Sequence, residues 1–195
     1  MQYTHGGDIY TYGEMIDFSV NINPLGPSKK VIEAAKRALL QSAAYPDCKC
    51  RKLREKLADR LRVDERMFAF GNGAAELIFA LVQAVKPKRA LVLAPTFAEY
   101  AQALEAVGCE VNREILKKED GFALQDRILD RLQKENLQMV FLCNPNNPTG
   151  ILMDPKLLQK IVTLCEKRQI YLVVDECFLD FVPEPEVHTL KGELK

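Results

Sequence analysis

The sequence predicts an α/β protein built around a mostly parallel β-sheet. Two observations carry that expectation. From residue 67 onward, apolar runs of strand length alternate with segments of helical periodicity. Two of the runs, Met139-Val140-Phe141-Leu142-Cys143 and Ile170-Tyr171-Leu172-Val173-Val174, end in polar residues. The first is followed by Asn144-Pro145-Asn146-Asn147-Pro148-Thr149-Gly150, the second by Asp175-Glu176. A helical segment, 154–168, lies between them and completes a strand-loop-helix-strand unit. Parallel sheets bind ligands at the carboxyl ends of their strands, where these polar residues fall. Two prolines and three asparagines in seven residues make a rigid, amide-rich loop suited to a polar, planar ligand.

Residues 1–27 read as irregular, with His5-Gly6-Gly7 a flexible arm, 16–20 extended and 21–27 a turn. Ser28 is an N-cap for a helix to about residue 40, with Val31, Ile32, Ala35, Ala38 and Leu39 on one face. Tyr45-Pro46-Asp47 breaks it. A charged helix over 51–61 follows, with Leu53, Leu57 and Leu61 at helical spacing. Residues 67–70 read as a short strand and Gly71-Asn72-Gly73 as a turn. The segment 74–85 is a nearly all-apolar helix, expected to be buried. A strand over 89–93, a helix over 98–107, a strand over 110–116 and a helix over 124–134 lead to the unit described first. Residues 183–195 carry two prolines, much charge and little periodicity, and are expected to form an exposed loop or tail.

A chain of 195 residues can bury one sizeable core or two small ones. Its 48% apolar and 28% charged content is that of a soluble globular protein. Zero formal net charge and the lack of a basic run argue against a nucleic-acid partner. No apolar run approaches a membrane span, and the first residues do not form a signal peptide. The cysteines are Cys48, Cys50, Cys109, Cys143, Cys165 and Cys177. Only Cys48 and Cys50 are close in sequence, and no second pair or nearby His completes a metal site, so no metal is expected. A reducing, cytoplasmic setting fits this usage.

Three further features bear on chemistry. Gly71-Asn72-Gly73-Ala74-Ala75-Glu76 follows an expected strand and opens a helix, where small residues let a phosphate approach free backbone N–H groups. It lacks the third glycine of the dinucleotide fingerprint and the Gly-Lys-Ser/Thr of the nucleotidase phosphate loop. A Gly-Asn-Gly turn is also commonly no more than a turn. Phe97, in Pro95-Thr96-Phe97, offers a face for a flat ligand or else a core side chain. Asp175 ends an apolar strand, where an acid calls for a cationic partner, and a protonated ring nitrogen would be one. Phosphate cradle, stacking ring, amide and acid together make the site expected for pyridoxal phosphate.

With these motifs the chain resembles the N-terminal part of the fold-type I pyridoxal-phosphate enzymes. The branch is that of histidinol-phosphate aminotransferase and threonine-phosphate decarboxylase, and the resemblance runs to about residue 185. It implies a three-layer α/β/α large domain of the aspartate-aminotransferase-like fold. Within it, 1–27 would be an N-terminal arm, 28–182 an incomplete cofactor-binding domain and 183–195 a tail. It also implies that Gly73, Ala74 and Ala75 hold the cofactor phosphate and that Phe97 stacks on the ring. Asn147 would bond the phenolic oxygen and Asp175 the pyridine nitrogen. Tyr45 would reach the phosphate in the partner subunit of a homodimer.

Three stretches are similar to the decarboxylase of cobalamin biosynthesis. They are His5-Gly6-Gly7, the run Asp17-Phe18-Ser19-Val20-Asn21-Ile22-Asn23-Pro24-Leu25-Gly26, and Asp175-Glu176-Cys177-Phe178-Leu179-Asp180-Phe181. The aminotransferases usually carry Tyr at the position of Phe178. Position 8 is Asp where the decarboxylases often have Asn. This similarity implies that His5, Gly6, Asn21 and Asn147 contact a phosphorylated amino-acid substrate. The implied reaction is decarboxylation of O-phospho-L-threonine to (R)-1-aminopropan-2-yl phosphate, the alternative being histidinol-phosphate amino transfer. The Schiff-base lysine of the family is expected beyond Lys195, as are the last strands of the sheet and the small domain. Lys191, in Thr189-Leu190-Lys191-Gly192, follows no apolar strand and reads as a solvated tail lysine. A third reading is therefore a non-catalytic fragment.

Overall fold

The computed structural model describes residues 6–13 and 15–194. The chain divides into two compact units, Met1–Lys56 and Leu57–Lys195, with the dividing line inside a helix.

The first unit holds one helical turn, α1 (Ile9–Tyr12), capped by Asp8, and the helix α2 (Lys29–Leu39). The Ser28 hydroxyl accepts the Val31 N–H, as an N-cap does. Neither helix buries a residue, and Val31 and Leu39 on the apolar face of α2 are exposed. The arm is held more firmly than its glycines suggest. Gly7 N–H donates to Ser19 Oγ at 2.8 Å. A Cβ on Gly6 would come within 2.2 Å of the Ser19 carbonyl oxygen, so only glycine fits. Residues 6–7 are thus docked on the 17–19 turn, not a free arm, while His5 lies outside the described residues. The helix α3 (Arg51–Leu61) spans the expected range and crosses between the units.

The second unit is a three-layer α/β/α sandwich. Its helix α4 (Gly73–Val85) leads into β1 (Arg89–Ala94), then α5 (Ala98–Ala106) and β2 (Glu110–Ile115). The helix α6 (Arg127–Lys134), β3 (Met139–Cys143), α7 (Pro155–Arg168) and β4 (Tyr171–Asp175) complete it. The sheet is parallel throughout, in the order β2-β1-β3-β4. All five residues of β3 are buried, as a central strand covered on both faces requires. Leu91, Leu93, Val140 and Leu142 face Ile128 and Leu132 of α6 and Leu157, Leu158 and Ile161 of α7. Ala90, Val92, Phe141 and Cys143 face Ile78 and Val82 of α4 and Tyr100 and Leu104 of α5.

Three expectations need correction and a fourth is qualified. Residues 67–70 form no strand: Glu65–Met67 is a 3₁₀ turn, and Phe68 is extended but joins no ladder. A strand needs a neighbour to bond, and none of the four described strands lies beside this segment. The apolar α4 buries only Ile78 and Val82, because one side of it alone meets the sheet layer. The helix α6 begins at Arg127, since Leu124 is already committed to the core and Gln125 bonds the Ala123 carbonyl. Residues 183–194 are mostly exposed, as expected, but are tied back to the second unit at 189–190. The Glu176 carboxylate accepts the Thr189 hydroxyl at 2.8 Å and the Leu190 N–H at 2.7 Å, and Leu190 packs on the core. Lys191 itself is exposed.

Candidate active site

In this sheet, β1 and β3 are neighbours, and the chain leaves them toward opposite faces. The connection from β1 runs through α5 on one face, and that from β3 runs through α7 on the other. This is a topological switch point, the place in an open parallel sheet where a ligand crevice forms, between the carboxyl ends of the two strands. The segments that end β1, β3 and β4 carry Phe97, Asn147 and Asp175 to this edge. The helix α4 reaches β1 through only three residues and packs on the same sheet, so it runs antiparallel to β1 and its first turn lies at that edge.

The two loops at the crevice are interlocked. The Asn146 side chain is buried. Its amide donates to the Pro95 carbonyl at 3.1 Å and to Thr149 Oγ1 at 2.9 Å, while its oxygen accepts the Thr96 hydroxyl at 2.8 Å. Asn144 ties the same loop to its surroundings: its backbone N–H donates to the Asp175 carbonyl, and its side-chain oxygen accepts the Met153 N–H. Its amide nitrogen is buried without a partner. Asn147, between these anchors, is half-buried.

The Asp175 carboxylate is fixed by two donors. The Tyr100 hydroxyl donates to Oδ2 at 2.7 Å, and the Cys177 backbone N–H donates to Oδ1 at 3.0 Å. A hydrogen bond to an ionised group contributes roughly 1.5–3 kcal/mol. Tyr100 is fully buried. Its ring stacks on Phe141 at 5.0 Å between centroids and meets Phe97 edge-on at 5.5 Å. Burial, then the neighbouring Cys143 and Asp175, drives the Tyr100 phenol far above its ordinary value, so it stays a donor. Burial likewise raises the Cys143 thiol. Cys177 is pushed up to about 12, first by burial and then by the neighbouring Asp175 carboxylate.

The first turn of α4 lacks a side-chain cap. Its N-cap, Asn72, makes no side-chain capping bond, and Gly73 has φ +82°, a conformation that glycine adopts without strain. Glu76 accepts the Asn72 N–H, on the loop side. Helix geometry leaves the N–H groups of Ala74 and Ala75 without intrahelical partners. The half-buried Phe97 offers a ring, Asp175 an acceptor for a cationic N–H, and α4 a seat for a phosphate.

The second unit thus brings Gly73, Ala74, Ala75, Phe97, Asn147 and Asp175 to one edge of one sheet. Tyr45, Gly6 and Asn21 belong to the first unit and are exposed, Tyr45 completely so. Sequence reasoning missed Tyr100, Asn146 and Thr96. Tyr100 sits three residues after Phe97, the N-cap residue of an alanine-rich helix, and the two rings meet edge-on. Asn146 is the first of the Asn pair, and its role shows only in its bonds to the loop after β1.

The aminotransferase class I and II family model matches residues 13–195. The threonine-phosphate decarboxylase of Salmonella typhimurium is 41% identical over 191 residues, covering 92% of this chain and 51% of that protein. A histidinol-phosphate aminotransferase of Halalkalibacterium halodurans is 34% identical over 170 residues, covering 86% and 45%. The crystal structure of the histidinol-phosphate aminotransferase of Clostridium acetobutylicum superposes with a TM-score of 0.81 at 26% identity, over 92% of this chain and 52% of that one. The chain spans about half the length of these relatives. A parallel sheet with a polar switch-point crevice, and a family match over nearly its whole length, lead to one assignment: the chain belongs to the aminotransferase class I and II family.

Proposed function

We propose that the protein containing this chain binds pyridoxal 5′-phosphate and decarboxylates O-phospho-L-threonine to (R)-1-aminopropan-2-yl phosphate. The observation that carries the cofactor part is the pinned Asp175 carboxylate at the crevice, with the uncapped first turn of α4 at the same edge. The donor set suits the group. Ala74 and Ala75 offer amide protons to its phosphate, beside Gly73. Phe97 offers a face to its ring, Asn147 an amide to its phenolic oxygen, and Asp175 a carboxylate to its ring nitrogen. When bound, this group supplies a protonated pyridine ring that accepts the electron pair released as a bond to the substrate Cα breaks.

The work of this chain is to hold that ring charged and oriented. Asp175 keeps a proton on the ring nitrogen by offering it a fixed negative partner. Asn146 locks the loops after β1 and β3, so Phe97 and Asn147 keep their spacing. His5, Gly6 and Asn21 are proposed to meet the substrate, and Tyr45 to reach the phosphate in the second subunit of a homodimer.

The choice of substrate rests on the 41% identity to a threonine-phosphate decarboxylase and on Phe178, where a Tyr is usual in the aminotransferases. The identity to histidinol-phosphate aminotransferases, 34% in one case, keeps amino transfer as a second reading. The natural protein, supplied with pyridoxal phosphate and O-phospho-L-threonine, should release carbon dioxide without consuming a keto acid. Transfer of the amino group of histidinol phosphate to 2-oxoglutarate, with no carbon dioxide released from O-phospho-L-threonine, would establish the second reading instead.

A further inference from the structure

We infer that Tyr100 is a positioning residue for the cofactor-binding acid: its hydroxyl fixes the Asp175 carboxylate in the orientation that receives the ring N–H. The inference rests on the pyridoxal-phosphate reading above. Three observations carry it. The Tyr100 hydroxyl is the donor to Oδ2, at 2.7 Å, while the Cys177 amide holds Oδ1 at 3.0 Å, so each carboxylate oxygen has its own clamp. With both oxygens held, rotation of the carboxylate about its last bond is arrested. Tyr100 cannot swing away, because its ring is fully buried between Phe141, stacked at 5.0 Å, and Phe97, edge-on at 5.5 Å. The two residues lie 75 positions apart on elements of different layers, so the contact is a product of the tertiary fold.

Phe97, the N-cap residue of α5, and Tyr100, in its first turn, also come from one short segment. The residue proposed to cover the ring face and the residue that aims the acid at the ring edge are therefore set by the same short segment. A buried tyrosine that only fills space needs some acceptor for its hydroxyl, and a backbone carbonyl would serve. Here the acceptor is the one side chain whose aim decides whether a ring nitrogen keeps its proton. The hydroxyl is also a neutral donor, which leaves the negative charge of Asp175 available for the ring.

Binding of pyridoxine 5′-phosphate tests this without chemistry, since that probe keeps the ring nitrogen and phosphate but has no aldehyde. Its affinity is measured by calorimetry for the 195-residue chain, Tyr100→Phe, Asp175→Asn and the double variant. Phenylalanine keeps the ring between Phe97 and Phe141, and thermal melting checks that the fold is kept. Expected is a loss of about 5- to 10-fold for Tyr100→Phe, the scale of one hydrogen bond to a charged group, and no further loss when it is added to Asp175→Asn. Equal losses in both backgrounds, or none in either, would mean that Tyr100 only packs, and would overturn the inference alone. No binding by the wild-type chain, or binding indifferent to Asp175→Asn, would overturn the cofactor reading and this inference with it. A second measurement needs no variant. The Tyr100 hydroxyl proton, buried and donated to Asp175, should shift in the NMR spectrum on addition of pyridoxine 5′-phosphate and not of inorganic phosphate. An unmoved resonance at saturating probe would contradict the coupling.

Discussion

Asp175 shows how one residue gains a function from where its strand ends. It is the last residue of β4, and its carboxylate is met by the buried Tyr100 hydroxyl and by the Cys177 amide. On the proposed function, Asp175→Asn should lower decarboxylation by on the order of 10² or more, because an amide does not stabilise a pyridinium as a carboxylate does. Turnover within a few-fold of wild type would reduce Asp175 to a strand-end acid. Cys177 reports on the same carboxylate. Its surface is exposed, yet its thiol is raised to about 12, so it carries little thiolate at pH 8. It should react with iodoacetamide at least ~10-fold more slowly than free cysteine, and Asp175→Asn should speed it, because the charge that opposes the thiolate is gone. Equal rates for the two proteins would contradict the contact. Tyr100 itself was not legible in the sequence, because its partner lies 75 residues away and only the packing of α5 on the sheet brings them together.

Elements were more legible than contacts. Helix α7 shows why: Asp154 caps it, Pro155 opens it, and Leu157, Leu158, Ile161 and Cys165 recur on its buried side. The Leu157 and Lys156 amides hold the Asp154 carboxyl below its ordinary value. A depressed carboxyl contributes stability above its unfolded-state value and loses it as pH falls through the folded one. Asp154→Ala should therefore lower the melting temperature at neutral pH, by about 2–5 °C, and Asp154→Asn by less. The gap between wild type and alanine variant should close in acid, below the usual carboxylate range. A gap independent of pH would assign the effect to helix propensity. The strands β1, β3 and β4 were visible as apolar runs stopped by Pro, Asn or Asp. Where the reading failed, the decisive partner was elsewhere. A short apolar segment such as 67–70 is a strand only beside another strand, and the apolar α4 is buried only on the side that meets the sheet. Likewise, residues 189–190 are held by Glu176, which no local pattern signals.

At the scale of the whole molecule, the second unit is a sandwich whose strength lies in its two central strands. Hydrogen exchange on the 195-residue chain should find the strongest protection in β1 and β3, which have neighbours on both sides. Protection should be weaker in the edge strands β2 and β4 and weakest at 67–70. Uniform strong protection across 67–70 in a monodisperse monomer would show a ladder this account does not contain. The proposed cofactor site belongs to the same scale, because no single element holds it: the sheet brings together the start of α4, the loops after β1 and β3 and the end of β4. Addition of pyridoxal 5′-phosphate to the ¹⁵N-labelled chain tests that claim most directly. Amide shifts gathered at Gly73, Ala74, Ala75, Phe97, Asn147 and Asp175 are expected. Shifts scattered over surface lysines, or gathered on the far side of the sheet around α7, would contradict it.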